Sequence, residues 1–155
     1  MSGKAAQDKG KRAERSVVTT LQEICDRVSG ELGVDNIKIQ RNLQQSMDGG
    51  HDINVPWCAI EVKHRETLQL PAWWAQTIKQ AELLKLEPVL IYKQNNIAFR
   101  VRLYSKLAVW NGATVRVLAD IAWADYLVYF EQQARAYFAY RQGHGAPVAA
   151  LRQVG

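Results

Sequence analysis

From about Asp8 to Ser29 the apolar residues return at the period of an α-helix. Val17, Leu21, Ile24 and Val28 fall on one stripe, with Val18 and Cys25 beside them. Gly30 and Gly33 mark the end of that helix, and residues 1–7 read as a flexible polar start. Ile37 and Ile39 alternate with Lys38 and Gln40, the pattern of a short half-buried strand, and Arg41 to Gly50 is a polar loop. Two short strands follow, Asp52–Val55 and Cys58–Lys63, joined through Pro56. Pro71 opens a second helix, expected to run to about Leu86. It feeds the β-branched run Pro88-Val89-Leu90-Ile91-Tyr92, typical of a buried strand. Gln94-Asn95-Asn96 turns into a strand from Ile97 to Leu103, and Asn111-Gly112 precedes a strand over Thr114–Leu118. A last helix is expected from about Asp120 to Tyr140, followed by a flexible tail over 143–155.

This order predicts an α/β fold: a single domain with a central mixed β-sheet flanked by helices. The helix between the Cys58 and Val89 strands would be a crossover between parallel neighbours, expected to be right-handed. The domain is placed at 8–142, with a core at about 9–103 and an aromatic C-terminal extension at 104–142. At 155 residues, 48% of them hydrophobic, the chain is long enough to bury a substantial core.

Twenty Lys and Arg against 15 Asp and Glu give a net charge of +5, a lean toward polyanionic partners. Lys4, Lys9, Lys11, Arg12 and Arg15 crowd the N-terminus, and His64 and Arg65 follow Lys63. Cys25 and Cys58 are isolated on apolar patterns and read as buried thiols of a reducing compartment. No apolar run is long enough to span a bilayer, and no secretory signal is recognisable. A cytoplasmic location is expected.

The chemistry concentrates in Gly49–Lys63, GGHDINVPWCAIEVK. Side chains alternate along a strand, so Glu61 and Lys63 project to one side and Ile60 and Val62 to the other. With Asp52 nearby, two carboxylates and an ammonium at the end of a hairpin can hold a divalent metal beside a scissile phosphate, which suggests a nuclease. A third carboxylate comes from helical phase. At about 100° per residue the apolar stripe of the first helix spans an arc of roughly 120°, and Glu14 falls within it. An inward carboxylate is costly without a partner, and a bound metal or Lys63 could supply one. Gly10 lies on the same stripe, where another backbone could approach.

Lys9-Gly10 followed by Glu14, Arg41 after a short strand, Ser46 and Gly49-Gly50 before Asp52-Ile53, and Ile60-Glu61-Val62-Lys63 together resemble the archaeal-type Holliday-junction resolvases. These lie within the restriction-endonuclease-like PD-(D/E)XK nuclease superfamily. The resemblance spans roughly residues 9–103. His51 stands where that family usually has proline before the aspartate, and the aromatic C-terminal segment finds no counterpart there.

The resemblance implies a restriction-endonuclease-like fold and a Mg²⁺-dependent endonuclease, with Mn²⁺ able to substitute. Asp52, Glu61 and the Val62 carbonyl would bind the metal, and Glu14 directly or through water. Lys63 would orient the nucleophile or stabilise the transition state. Lys9, Lys11, Arg12, Arg41 and Arg65 become phosphate contacts, and Ser46 a contact near the cut.

The implied partner is DNA, as four-way junctions nicked symmetrically by a homodimer, with no membrane and no small-molecule substrate. The location would be the cytoplasm of a prokaryotic cell or of an infected host. Another nuclease of the superfamily, restriction-like or end-processing, is the alternative. A non-catalytic DNA-binding module is a third reading, against which the set Glu14, Asp52, Glu61 and Lys63 speaks. His51 and His64 read as neighbours of the substrate or as solvated groups. Trp73-Trp74 reads as an anchor in the core or an interface rather than a base-stacking pair, and Gln76 could face the site.

Overall fold

The computed structural model describes residues 3–42 and 52–144. Helix α1 runs Gly3–Leu32, and β1 (Gln40–Arg41), β2 (Ile53–Val55) and β3 (Cys58–Arg65) follow. Then come α2 (Leu70–Leu84), β4 (Glu87–Gln94), β5 (Arg100–Ala108), β6 (Thr114–Ala122) and α3 (Trp123–His144). The strands form one sheet in chain order, β1 to β6. β3 and β4 are parallel with α2 between them, and every other neighbouring pair is antiparallel. The expected α/β architecture with a mixed sheet is therefore present.

Strand alternation divides the interior into two layers. Ile60, Val62, Val89, Ile91, Val101 and Leu103 face a core closed by α1 and α3. Leu90 and Tyr92 point the other way, against Trp73 and Trp74 of α2. The tryptophan pair is thus a packing anchor, while Gln76 is exposed and Gln80, one turn on, is buried. In α3, Tyr126, Phe130, Ala134 and Phe138 recur every fourth residue and are buried. Phe130 and Tyr137 lie with ring centroids 5.3 and 5.2 Å from Trp57, so the aromatic C-terminal segment is a packing element of the same domain.

Several boundaries differ from expectation, each for a local reason. Helix α1 is already formed at Gly3 and passes through Gly30. It ends at Gly33 (φ 64°), whose N–H bonds to the Gly30 carbonyl while Val34 N–H bonds to that of Ser29. Helix α2 stops early because Lys85 takes the left-handed conformation (φ 54°) that glycine usually fills. Asn96 (φ 62°) prolongs the turn, so β5 starts at Arg100 and Ile97 stays outside it. Asp120, expected to open the last helix, lies instead within β6. There Arg102 holds it at 3.0 Å across the ladder, and Tyr92 Oη donates to it at 2.8 Å.

Candidate active site

The β2–β3 hairpin turns at Pro56-Trp57, and its register sets Ile53 against Ile60 and Val55 against Cys58. Just beyond the Ile53–Ile60 pair, Asp52 sits at the open end close enough to Glu61 for the two charges to act on each other. The Asp52 N–H donates to the Ile60 carbonyl (2.9 Å), and its own carbonyl accepts from Asn42 N–H (2.8 Å). Backbone bonds to both neighbours thus fix this aspartate just before β2 begins. Trp57, wedged against Phe130 and Tyr137, pins the turn.

Both carboxylates are withdrawn from water, Asp52 to 3% and Glu61 to 1% exposure. Asp52 Oδ2 accepts the backbone N–H of Val62 at 2.6 Å. Lys63 Nζ stands 2.8 Å from Glu61 Oε1 as an ion pair. Apart from this ion pair, no donor among the described residues reaches either Glu61 oxygen. Burial first, and the neighbouring Glu61 second, push the Asp52 carboxyl up to about 7. Burial also raises Glu61, and Lys63 opposes that rise.

Glu14, on the inward stripe of α1, adds negative potential to both groups. Arg41 meets it, with Nε and Nη2 both 2.8 Å from Oε2. Arg41, expected to contact phosphate, is thus paired with this carboxylate in the structure. Ser46, Gly49, Gly50 and His51 fall outside the described residues. A Cβ at Gly10 would meet only the Arg65 side chain, at 3.9 Å, so no backbone approaches there.

The basic residues separate. Lys11, Arg12 and Arg65 are exposed. Lys9 reaches across to Asn95 Oδ1 at 2.8 Å. Burial, then Lys93, Lys9 and Arg12, lower the pKa of His64, so these three cations converge on one imidazole beside Lys63. Lys93 was not among the residues singled out from sequence. The parallel register that sets it against His64 was the available signal.

Among the described residues no three acidic, His or Cys side chains are grouped to cage a metal. Asp52, Glu61 and the Val62 carbonyl nevertheless suit a hard divalent cation that keeps several waters. Two buried carboxylates, one of them partnered only by Lys63, are costly, and such a charge would offset them. No helix of the described residues is long and apolar enough to cross a membrane.

The family model described as "Phage putative PDDEXK endonuclease" matches residues 5–141. That span takes in α3 as far as residue 141, so the family match extends over the C-terminal segment. No curated protein matches the sequence. Among solved structures, the chain resembles that of Hjc, a Holliday junction resolvase of the archaeal hyperthermophile Archaeoglobus fulgidus. The identity is 18% and the TM-score 0.46, over 77% of this chain and 96% of that one.

Proposed function

The chain belongs to the phage PDDEXK endonuclease family, and from that premise we propose that it is a Mg²⁺-dependent DNA endonuclease. In this reading it resolves four-way junctions by paired symmetric nicks, as a homodimer, within the cytoplasm of the infected host cell. The observation that carries the nuclease chemistry is the buried Asp52–Glu61 pair at the open end of the hairpin, with Lys63 beside it. A module that only bound DNA would gain nothing from burying carboxylates against a phosphate.

Asp52, Glu61 and the Val62 carbonyl would hold the ion, Mn²⁺ substituting for Mg²⁺, and Glu14 would join directly or through water. When bound, the ion supplies Lewis-acid stabilisation of charge on the phosphate. Lys63 places an ammonium where the reacting phosphoryl oxygens gain negative charge, and its contact with Glu61 keeps it there. Arg41 acts as a positioning residue, aiming Glu14 through the fork at Oε2. Lys9, Lys11, Arg12 and Arg65, with Lys93, offer cations to the backbone on either side of the cut, and Ser46 a contact near it.

Junction resolution rests on the motif set Lys9-Gly10, Glu14, Arg41 and Glu61-Val62-Lys63, and on the fit between a two-fold dimer and two equivalent scissile strands. The family description names an endonuclease without naming a junction, which favours a second reading as a restriction-like or end-processing enzyme. Cleavage of four-way junctions, linear duplex, flaps and single strands, compared at equal concentration, separates them. Preference for junctions with paired nicks supports resolution. Equal cutting of linear duplex removes it and leaves the nuclease standing.

A further inference from the structure

β6 ends the sheet: β5 pairs along one side of it, and among the described residues no strand lies on the other. It is nine residues long, holds an unbroken register with β5, and contains neither Lys nor Pro. Those are the devices by which exposed edges usually avoid pairing. Beyond Leu103, β5 has left β4, and Tyr104–Ala108 pair only with Thr114–Leu118. Its base is anchored by Tyr104 against Trp74 (5.4 Å between ring centroids) and by Arg116 on Glu87, while its outer half extends past β4 as a two-stranded arm, which is marginal in water without something to pack on. It exposes Leu107, Val109, Val115 and Leu118, with Trp110 at its tip 99% exposed.

We propose that β6 pairs with β6 of a second copy of this chain, antiparallel about a two-fold axis at Leu118, joining two six-stranded sheets into one. The sequence of the strand is self-complementary in that register. Opposite residues of an antiparallel pair share a face and interact directly. The axis at Leu118 sets Arg116 against the partner's Asp120 and Val115 against the partner's Ile121. It also sets Val117 against the partner's Ala119 and Thr114 against the partner's Ala122, so all nine residues pair.

Moving the axis to Val117 sets Arg116 against Leu118 and Asp120 against Thr114. Moving it to Ala119 sets Asp120 against Leu118 and Arg116 against Ala122. Only the Leu118 register brings the strand's two charges together. Each is also held in place by its own chain: Arg116 lies 3.0 Å from Glu87 and stacks 3.7 Å over the Tyr104 ring, and Asp120 is gripped by Arg102 and Tyr92.

An axis normal to the sheet leaves both Asp52–Glu61 pairs opening on one side of the joined sheet. The surface rests on the dimer proposed above and supplies its interface; the nuclease assignment does not depend on it.

The test is the solution mass of the full chain across concentrations, with variants at the edge. The wild type is expected at twice the 17.6 kDa chain mass. Leu118→Lys, a change at a residue 46% exposed, sets two ammonium groups together on the axis. It should raise the dissociation constant about tenfold or more, as like charges opposite one another do. Arg116→Asp and Asp120→Arg should each do the same, the double variant should restore the dimer, and a mixture of the two single variants should form heterodimers. Circular dichroism and thermal midpoints check folding, and Val115→Lys replaces any variant that fails to fold. A monomer at every concentration overturns both the dimer and this surface. A dimer indifferent to Leu118→Lys and to both reversals keeps the dimer and overturns β6 as its interface.

Discussion

The backbone N–H of Val62 donates to Asp52 Oδ2 at 2.6 Å, tying one acidic residue to the strand that carries the other. This bond holds Asp52 and Glu61 close at the end of a hairpin with almost no water to screen them. The hairpin's backbone ladder and the Trp57 wedge oppose their repulsion. The paired carboxylates therefore carry an electrostatic cost, which a bound cation would relieve.

Neutralising either carboxylate separates chemistry from stability. Asp52→Asn or Glu61→Gln should lower the cleavage rate by about a hundredfold or more, while DNA is still bound. Without metal and above pH 7, Asp52→Asn should be more stable than the wild type by about 1–3 kcal/mol, since a buried charge without an ion-pair partner is gone, whereas Glu61→Gln also strips Lys63 of its partner and should not gain. Single-turnover cleavage and urea denaturation in chelator measure the two effects. Unchanged cleavage by both variants removes the site assignment.

The pH dependence that Asp52 contributes to the metal-free protein has a definite sign. The Asp52 carboxyl lies near 3.8 when unfolded and is pushed up to about 7 in the fold. At this group the folded state therefore binds more protons between those values, so its contribution to stability falls as pH rises from about 4 to about 7, against the opposite contributions of His64, Asp120 and Glu131. The contribution of this group is at most about 4 kcal/mol, and Glu61 shifts in the same direction. Across that window the slope of the urea midpoint in chelator against pH should be more negative in the wild type than in Asp52→Asn. Mg²⁺ added above pH 7 should restore stability by mass action. A pH profile whose slope is the same in wild type and Asp52→Asn contradicts the burial argument.

Period and chemistry together made much of this legible before any coordinates. The Val17–Val28 stripe fixed the inward face of α1 and, by phase, drew attention to Glu14. Alternation along Cys58–Lys63 separated Ile60 and Val62 from Glu61 and Lys63. What stayed hidden depended on contacts between distant segments or on unadvertised backbone geometry. Arg41 as the partner of Glu14 requires β1 to lie beside α1, which no local pattern encodes. Asp120 resembles a helix-capping residue until Arg102 and Tyr92 are seen across the sheet. Lys85 ends α2 in a conformation its residue type does not announce.

The Glu14–Arg41 fork makes a further prediction. Arg41→Ala leaves a largely buried carboxylate unpaired beside two others, costing about 1–3 kcal/mol in the metal-free protein. Arg41→Lys keeps the charge but loses the planar fork and should recover only part of that cost. Because the variant loses a constraint on Glu14, cleavage should require more metal, and the Mg²⁺ concentration at half-maximal rate should rise. If Arg41 served phosphate alone, DNA affinity would fall with no change in metal requirement, and a metal titration at saturating DNA distinguishes the two.

The cations gathered around His64 predict how binding responds to salt. Lys93, near the end of β4, and Lys9, on α1, are held by Phe99 (5.2 Å from the Lys93 ammonium to the ring centroid) and by Asn95. Each ordered ammonium that meets a phosphate releases counterions, so removing one should lower the salt slope of binding by about one unit. Lys93→Ala and Lys9→Ala are therefore expected to weaken binding of the Asp52→Asn protein similarly across sequences and to flatten that slope. His64, whose pKa is lowered by burial and then by these cations, should in turn titrate higher once Lys93 is removed, which NMR of the imidazole resonances can follow. A normal salt slope in both lysine variants, together with a shifted His64, assigns these cations to the local structure rather than to DNA.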